Sequence, residues 1–267
     1  MIRSFTVPLC VLVLGPLCAG AADIAVNLRS RVEAFKATGD WREVRLQETL
    51  APEKTAVLIC DMWDRHWCSG ATERVNALVS HMAPFVDAAR KRGIQIIHAP
   101  SETMAFYRDA PQRKRMLAVA KEDPPVPLSL PDPPLPIDDK GGGCDTPDHF
   151  FKAWTREHPG IRIDPADAIS DDGSEIYNFL RARDIRTLLV MGVHANMCIL
   201  NRTFAIKRMT ALGIRCILVR DLTDAMYNPQ DPPHVSHAAG TQLVIEYIEK
   251  YWAPTTTSTE LLRAFAH

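Results

Sequence analysis

The stretch Thr187-Leu-Leu-Val-Met-Gly-Val-His-Ala-Asn-Met-Cys198 decides how the rest of the chain reads. It opens on a short apolar run, 188–191, whose length and composition suit a strand buried on both faces of a parallel sheet. Gly192 lets the backbone turn, and Asn196 has the side chain to cap a helix that starts beside it. Cys198 then falls in the first turn of a helix running on toward residue 212. Unpaired N–H groups and the helix dipole favour negative charge at that end, so the placement predicts a lowered thiol pKa. A thiolate at the carboxyl end of a central strand is where an open α/β sheet presents a nucleophile. The competing reading is a buried structural cysteine.

Working outward, residues 55–60 form a second apolar run, which ends in Asp61 and the loop Met-Trp-Asp-Arg-His-Trp-Cys68. Helical spacing follows over 71–92 and stops at Gly93. Further strands are expected at 94–98, 161–163, 214–219 and 255–257, and further helices at 105–120, 235–251 and 258–266. Another helix is expected over 170–183, capped by Ser170, and residues 23–50 read as a polar segment with helical periodicity over 27–37. Strands alternating with helices at this spacing predict an α/β fold: an open, mostly parallel, doubly wound (Rossmann-like) sheet of about six strands with helices on both faces. Asp61 and Cys198 each end a strand of that sheet, so both face one rim, where a carboxylate can take a proton from a thiol. Backbone N–H groups of 193–198 are the natural donors to an oxyanion there. His66, His98, His194, His234 and His237 are read as hydrogen-bonded structural residues rather than ligands, because a metal site needs several convergent donors; His66 and His194 also flank the rim.

With 46% hydrophobic and 24% charged residues in 267, the chain fits one globular domain over 23–267. A net charge of −1 gives no electrostatic case for nucleic acid or an anionic membrane. Residues 1–22 read as a secretory signal peptide: Arg3, an apolar run over 7–17, then Ala19-Gly-Ala21. The expected location is therefore secreted or periplasmic, with no membrane contact once the leader is removed. Five of the seven cysteines lie beyond it, so in an oxidising compartment at least one thiol stays free. Cys60 and Cys216 sit in core-like runs, while Cys68 and Cys144 lie in loops able to form a disulfide that leaves Cys198 reduced. Residues 123–147 are a Pro/Gly-rich insertion, with seven prolines between Pro124 and Pro136 and Gly141-Gly-Gly143 after them. Such a segment is neither helix nor central strand and reads as a surface excursion, a lid or a subunit arm.

These residues resemble a known family. Asp61 in its Ile-Cys-Asp-Met-Trp setting is similar to the Asp-x-Gln opening motif of the isochorismatase-like (nicotinamidase-related) cysteine hydrolases, and Gly192-Val-His-Ala-Asn-Met-Cys198 resembles their Gly-Val-x-Thr-Asp-x-Cys motif. The resemblance spans about 55–251. It implies Asp61 as general base, Cys198 as nucleophile, a cis peptide at Val193-His194 with oxyanion donors beside it, no cofactor, a small-molecule substrate and a homo-oligomer. It also implies a catalytic Lys, and here the sequence departs: no Lys lies in 164–170, which leaves Lys152, or Arg156 or Arg162, as the candidate cation. Trp63 replaces the motif Gln and Ala195-Asn196 the Thr-Asp, so Trp63, His66 and Asn196 become candidate pocket residues and the family's usual substrates are not implied. The expected function is cleavage of an amide or similar small acyl substrate through a Cys thioester. The alternative is a non-catalytic binding or scaffold protein on the same fold.

Overall fold

The computed structural model describes residues 22–266. The leader read over 1–22 lies, Ala22 apart, outside the described residues. Eight strands form one sheet: β1 (Ile24–Glu33), β2 (Trp41–Leu50), β3 (Thr55–Cys60), β4 (Gln95–Ala99), β5 (Ala168–Ile169), β6 (Thr187–Val193), β7 (Arg215–Asp224) and β8 (Thr255–Thr256), in the order β2-β1-β8-β7-β6-β3-β4-β5. From β8 to β5 the neighbours run parallel; β1 pairs antiparallel with β2 and β8. β3 and β6, which carry Asp61 and the Gly192 motif, lie side by side at its centre, every residue of both buried.

The apolar runs leave no polar face because both faces are covered. Leu58, Leu188 and Val190 pack into one core with Phe179, Ile199, Met209 and Ile248. These come from α3 (Gly173–Ala182), α4 (Cys198–Asn201), α5 (Ile206–Ala211) and α6 (His237–Tyr251). Val57, Ile59, Leu189 and Met191 pack the other way, against Met82, Phe85 and Leu261 of α1 (Ser69–Lys91) and α7 (Ser258–Phe265). At roughly 2 kcal/mol for each fully buried aliphatic side chain, these two layers dominate the favourable side of folding.

The sheet has more strands than the expected six because the N-terminal segment is a hairpin, not a helix. Ile24, Val26 and Leu28 are buried while Ala25 and Asn27 are exposed, a period of two that places one face on the core. The stretch 161–163 is not a strand; Ile161 packs against the α1 layer and the edge strand is β5. Helix α2 (Pro111–Leu117) is shorter than 105–120, because Pro111 sets its first turn. Asp172, not Ser170, caps α3, accepting from the N–H groups of Ser174 and Glu175 at 2.8 and 2.9 Å.

The helix expected over 198–212 is broken. α4 ends at Asn201 and α5 begins at Ile206, with Arg202 in extended conformation between them. The Pro/Gly-rich insertion has no regular element from 123 to 147 and is pinned along its length. Leu128 N–H donates to Ala211 O, Asp132 accepts from Lys207 and Tyr247, and Asp138 N–H donates to Pro232 O. A Cys68–Cys144 disulfide ties its far end to the start of α1, leaving Cys60, Cys198 and Cys216 free. Among the described residues, no helix is long and apolar enough to cross a membrane.

Candidate active site

Adjacent parallel strands bring Asp61 and Cys198 together. Cys60 pairs with Gly192 across β3 and β6, so the residues leaving both strand ends enter the same space. Gly192 is required there: its φ is +113°, and a Cβ would lie 2.0 Å from Cys60 O. The Val193–His194 peptide is cis, and the His194 N–H is directed at the Cys198 sulfur. Ala195 and Met197 N–H groups are committed to the Asp224 and His194 carbonyls. They are therefore not free to hold an oxyanion, which narrows the donors expected from 193–198.

Asp61 is fully buried. One carboxylate oxygen accepts from Ser101 N–H at 2.7 Å, and the other from Arg202 Nε at 3.0 Å. Burial raises its pKa; the Arg202 guanidinium and the hydrogen bonds from Cys198 and Ser101 oppose the rise without cancelling it. Burial, and then the Asp61 charge, push the Cys198 thiol well above its usual range. The thiolate expected from a helix N-terminus is thus not the resting state. α4 has only four residues, and its dipole is outweighed by desolvation and by the neighbouring carboxylate. What the pair can do is exchange a proton: a carboxylate whose pKa is raised toward neutrality is a stronger base toward a thiol beside it.

The cation at Asp61 is Arg202, which the sequence reading did not single out. Lys152 sits on the surface with Glu102, its Nζ 3.0 Å from Glu102 O and 3.7 Å from Oε2. Arg156 lies over the Phe106 ring, and Arg162 pairs with Asp87 and Asp164. Arg202 reaches Asp61 because the break after α4 turns its side chain back toward the strand ends, where its Nη1 also lies 3.7 Å from Glu102. The available signal was its spacing, four residues after Cys198.

Cys198 opens onto a shallow cavity of about 490 Å³ lined by Leu135, Asp139, Asn196, Met197, Cys198, Asn201 and Arg202. Asn196 is on this wall, but as a clamp rather than a cap: its amide accepts from Met226 N–H and donates to Met226 O and to Asp139. Trp63 and His66 lie away from this cavity. Trp63 stacks on Trp154 at 4.4 Å and donates to Ser101 O, so it supports the loop that holds Asp61. His66 accepts from Cys68 N–H and stands 5.1 Å from the His194 ring. Burial lowers both histidines, His66 to about 4 and His194 to about 3, so both are neutral.

His98 is buried between Glu157 at 2.7 Å and Asp167 at 2.9 Å, and Arg90 also binds Asp167. Burial alone would lower its pKa, but the two carboxylates outweigh it and raise the ring to about 9. Because the folded value exceeds the unfolded 6.5, this contribution is complete below pH 6.5 and lost as pH rises through 9. Urea titrations should show the stability gap between the wild type and His98→Gln shrinking by about 3 kcal/mol across that window. A pH-independent gap would mean the ring is neutral in the fold.

The comparisons agree with this architecture. No family model and no curated protein matches the sequence. Among solved structures, a cysteine hydrolase from Pseudomonas syringae pv. phaseolicola 1448A superposes with a TM-score of 0.53 at 21% identity, over 81% of this chain and 94% of that one. An isochorismatase from Pseudomonas putida KT2440 (16% identity, 79% and 91% covered) and an isochorismatase family protein from Burkholderia thailandensis (16%, 82% and 98%) give TM-scores of 0.48 and 0.47. The chain therefore has the α/β fold that its resemblance to the isochorismatase-like cysteine hydrolases implies.

Proposed function

We propose that the protein is a cysteine hydrolase of a small amide or related acyl compound. The observation that carries this reading is the buried Asp61 beside Cys198, at the end of two central strands and in contact with one cationic side chain. Asp61 takes the thiol proton as the sulfur attacks the carbonyl carbon. The proton passes to the leaving nitrogen as the C–N bond breaks, giving a thioester and an amine. Water then adds to the thioester, delivering a proton to Asp61, and collapse restores the thiol. The His194 backbone N–H, aimed at the sulfur, and the N–H of Cys198 are the groups placed to stabilise charge at the reacting centre. Arg202 acts through Asp61, keeping enough of it ionised to serve as base; it is a positioning residue.

Export is part of the proposal, supported by the leader-like residues 1–22 and by the Cys68–Cys144 disulfide, a bond typical of oxidising compartments. Self-association is proposed on the family resemblance alone. The missing family Lys favours the second reading, a binding protein without turnover. A panel of small amides, assayed for released amine and by intact-mass spectrometry for an acyl adduct, decides between them. Turnover with the adduct mapped to Cys198 supports the hydrolase; ligand binding with neither amine release nor adduct supports the binding protein.

A further inference from the structure

We propose that Asp139, carried by the Pro/Gly-rich insertion, selects substrates with a cationic ammonium group close to the acyl carbon. This rests on Cys198 being the reacting group. Asp139 is the carboxylate that lines the Cys198 cavity, and two others contact Arg202 on its wall and are neutralised. Asp61 is paired with Arg202, and Glu102 lies 3.7 Å from both Arg202 Nη1 and Lys152 Nζ. Asp139 is different: its partner is the uncharged Asn196 amide at 2.9 Å, and among the described residues no cation lies within 4 Å of it. The neighbouring Lys140 leans instead toward Asp138 and is almost wholly exposed. The cation on the cavity wall, Arg202, is therefore engaged by Asp61, and the negative charge of Asp139 is left without a paired cation.

That charge is also held in place. Asn196 is clamped on both sides by Met226, Asp139 O accepts from Gly142 N–H, and Asp138 N–H is bonded to Pro232 O. The disulfide fixes the insertion five residues further on, at Cys144. A carboxylate ordered before the ligand arrives loses little entropy on binding it, which suits it to recognition rather than to solvation. A lone uncompensated charge at a cavity wall discriminates ligand charge by roughly tenfold at moderate ionic strength.

The test uses methanethiosulfonates that share one reaction and differ in charge. The Cys198 sulfur attacks the sulfenyl sulfur, a mixed disulfide forms and methanesulfinate leaves, so the protonation state of the thiol cancels from the ratio of rates. Rates for the 2-ammonioethyl and 2-sulfonatoethyl reagents are measured at Cys198 by peptide mass and divided by those for 2-mercaptoethanol. The wild type should favour the cation about tenfold, and Asp139→Asn, with Asp139→Ser as a second neutral variant, should bring the ratio within about twofold of unity. Asp139→Glu and Asp138→Asn should both keep the preference, the second because it removes an equal charge outside the cavity. A ratio unchanged by neutralising Asp139, or changed equally by Asp138→Asn, overturns the assignment. The readout needs no turnover: charge selection without amide hydrolysis loses the enzyme and keeps Asp139, while hydrolysis with a flat ratio loses Asp139 alone.

Discussion

Cys198→Ala should abolish amide turnover, by about 10⁴-fold or more, while the protein stays folded with its stability within about 2 kcal/mol of wild type. The two halves of this expectation have separate causes. In the proposed mechanism the sulfur forms the bond that splits the reaction into two steps, and Cys60, the neighbouring thiol, is fully buried and does not replace it. The volume lost is small and lies beside an open cavity, so little packing goes with it. Turnover by Cys198→Ala within tenfold of the wild type would remove the thioester mechanism. A variant that unfolds would instead be replaced by Cys198→Ser, which keeps the shape and for which the same loss is expected.

The second large effect belongs to Arg202. Arg202→Met leaves Asp61 buried with only hydrogen bonds to hold its charge, so the carboxyl takes up a proton at neutral pH. kcat/KM at pH 7 should fall by about 10²–10³, and the acidic limb of the pH–rate profile should move up by more than one unit, so that activity partly returns as pH rises. Stability should drop by about 2 kcal/mol, less than for a fully enclosed pair because the guanidinium is 31% exposed. Arg202→Lys restores the charge but not the Nε contact, and a partial recovery with a smaller shift is expected. A large rate loss with an unmoved pH profile would show that Arg202 acts on something other than the base.

The centre of the fold was legible because both central strands are apolar on both sides and each ends in a residue with chemistry of its own. The hairpin β1–β2 was not: Arg29, Arg31 and Glu33 keep to the polar side of the alternation that Ile24, Val26 and Leu28 begin, but Ser30 breaks its apolar side, and so polar a stretch fits a helix as well. Arg202 escaped notice for a different reason. Periodicity joins 198 to 212 in one helix, and the break that turns Arg202 toward Asp61 depends on tertiary contacts that no local pattern encodes. Trp63 and His66 drew attention as rim aromatics, yet they stack with Trp154 and brace the loop from behind. The thiol's protonation also escaped local reading: a helix start argued for thiolate, and only the burial of Cys198 and the charge beside it reverse the sign.

The bond between Cys68 and Cys144 has a practical side. Laboratory reductants that protect the Cys198 sulfur from oxidation also cut this bond, and with it a covalent anchor of the chain that carries Asp139. Assay buffer thus becomes a variable of selectivity: with dithiothreitol present the protein should discriminate less sharply between charged and uncharged compounds, and a screen run only under reducing conditions would under-rank its best ligands.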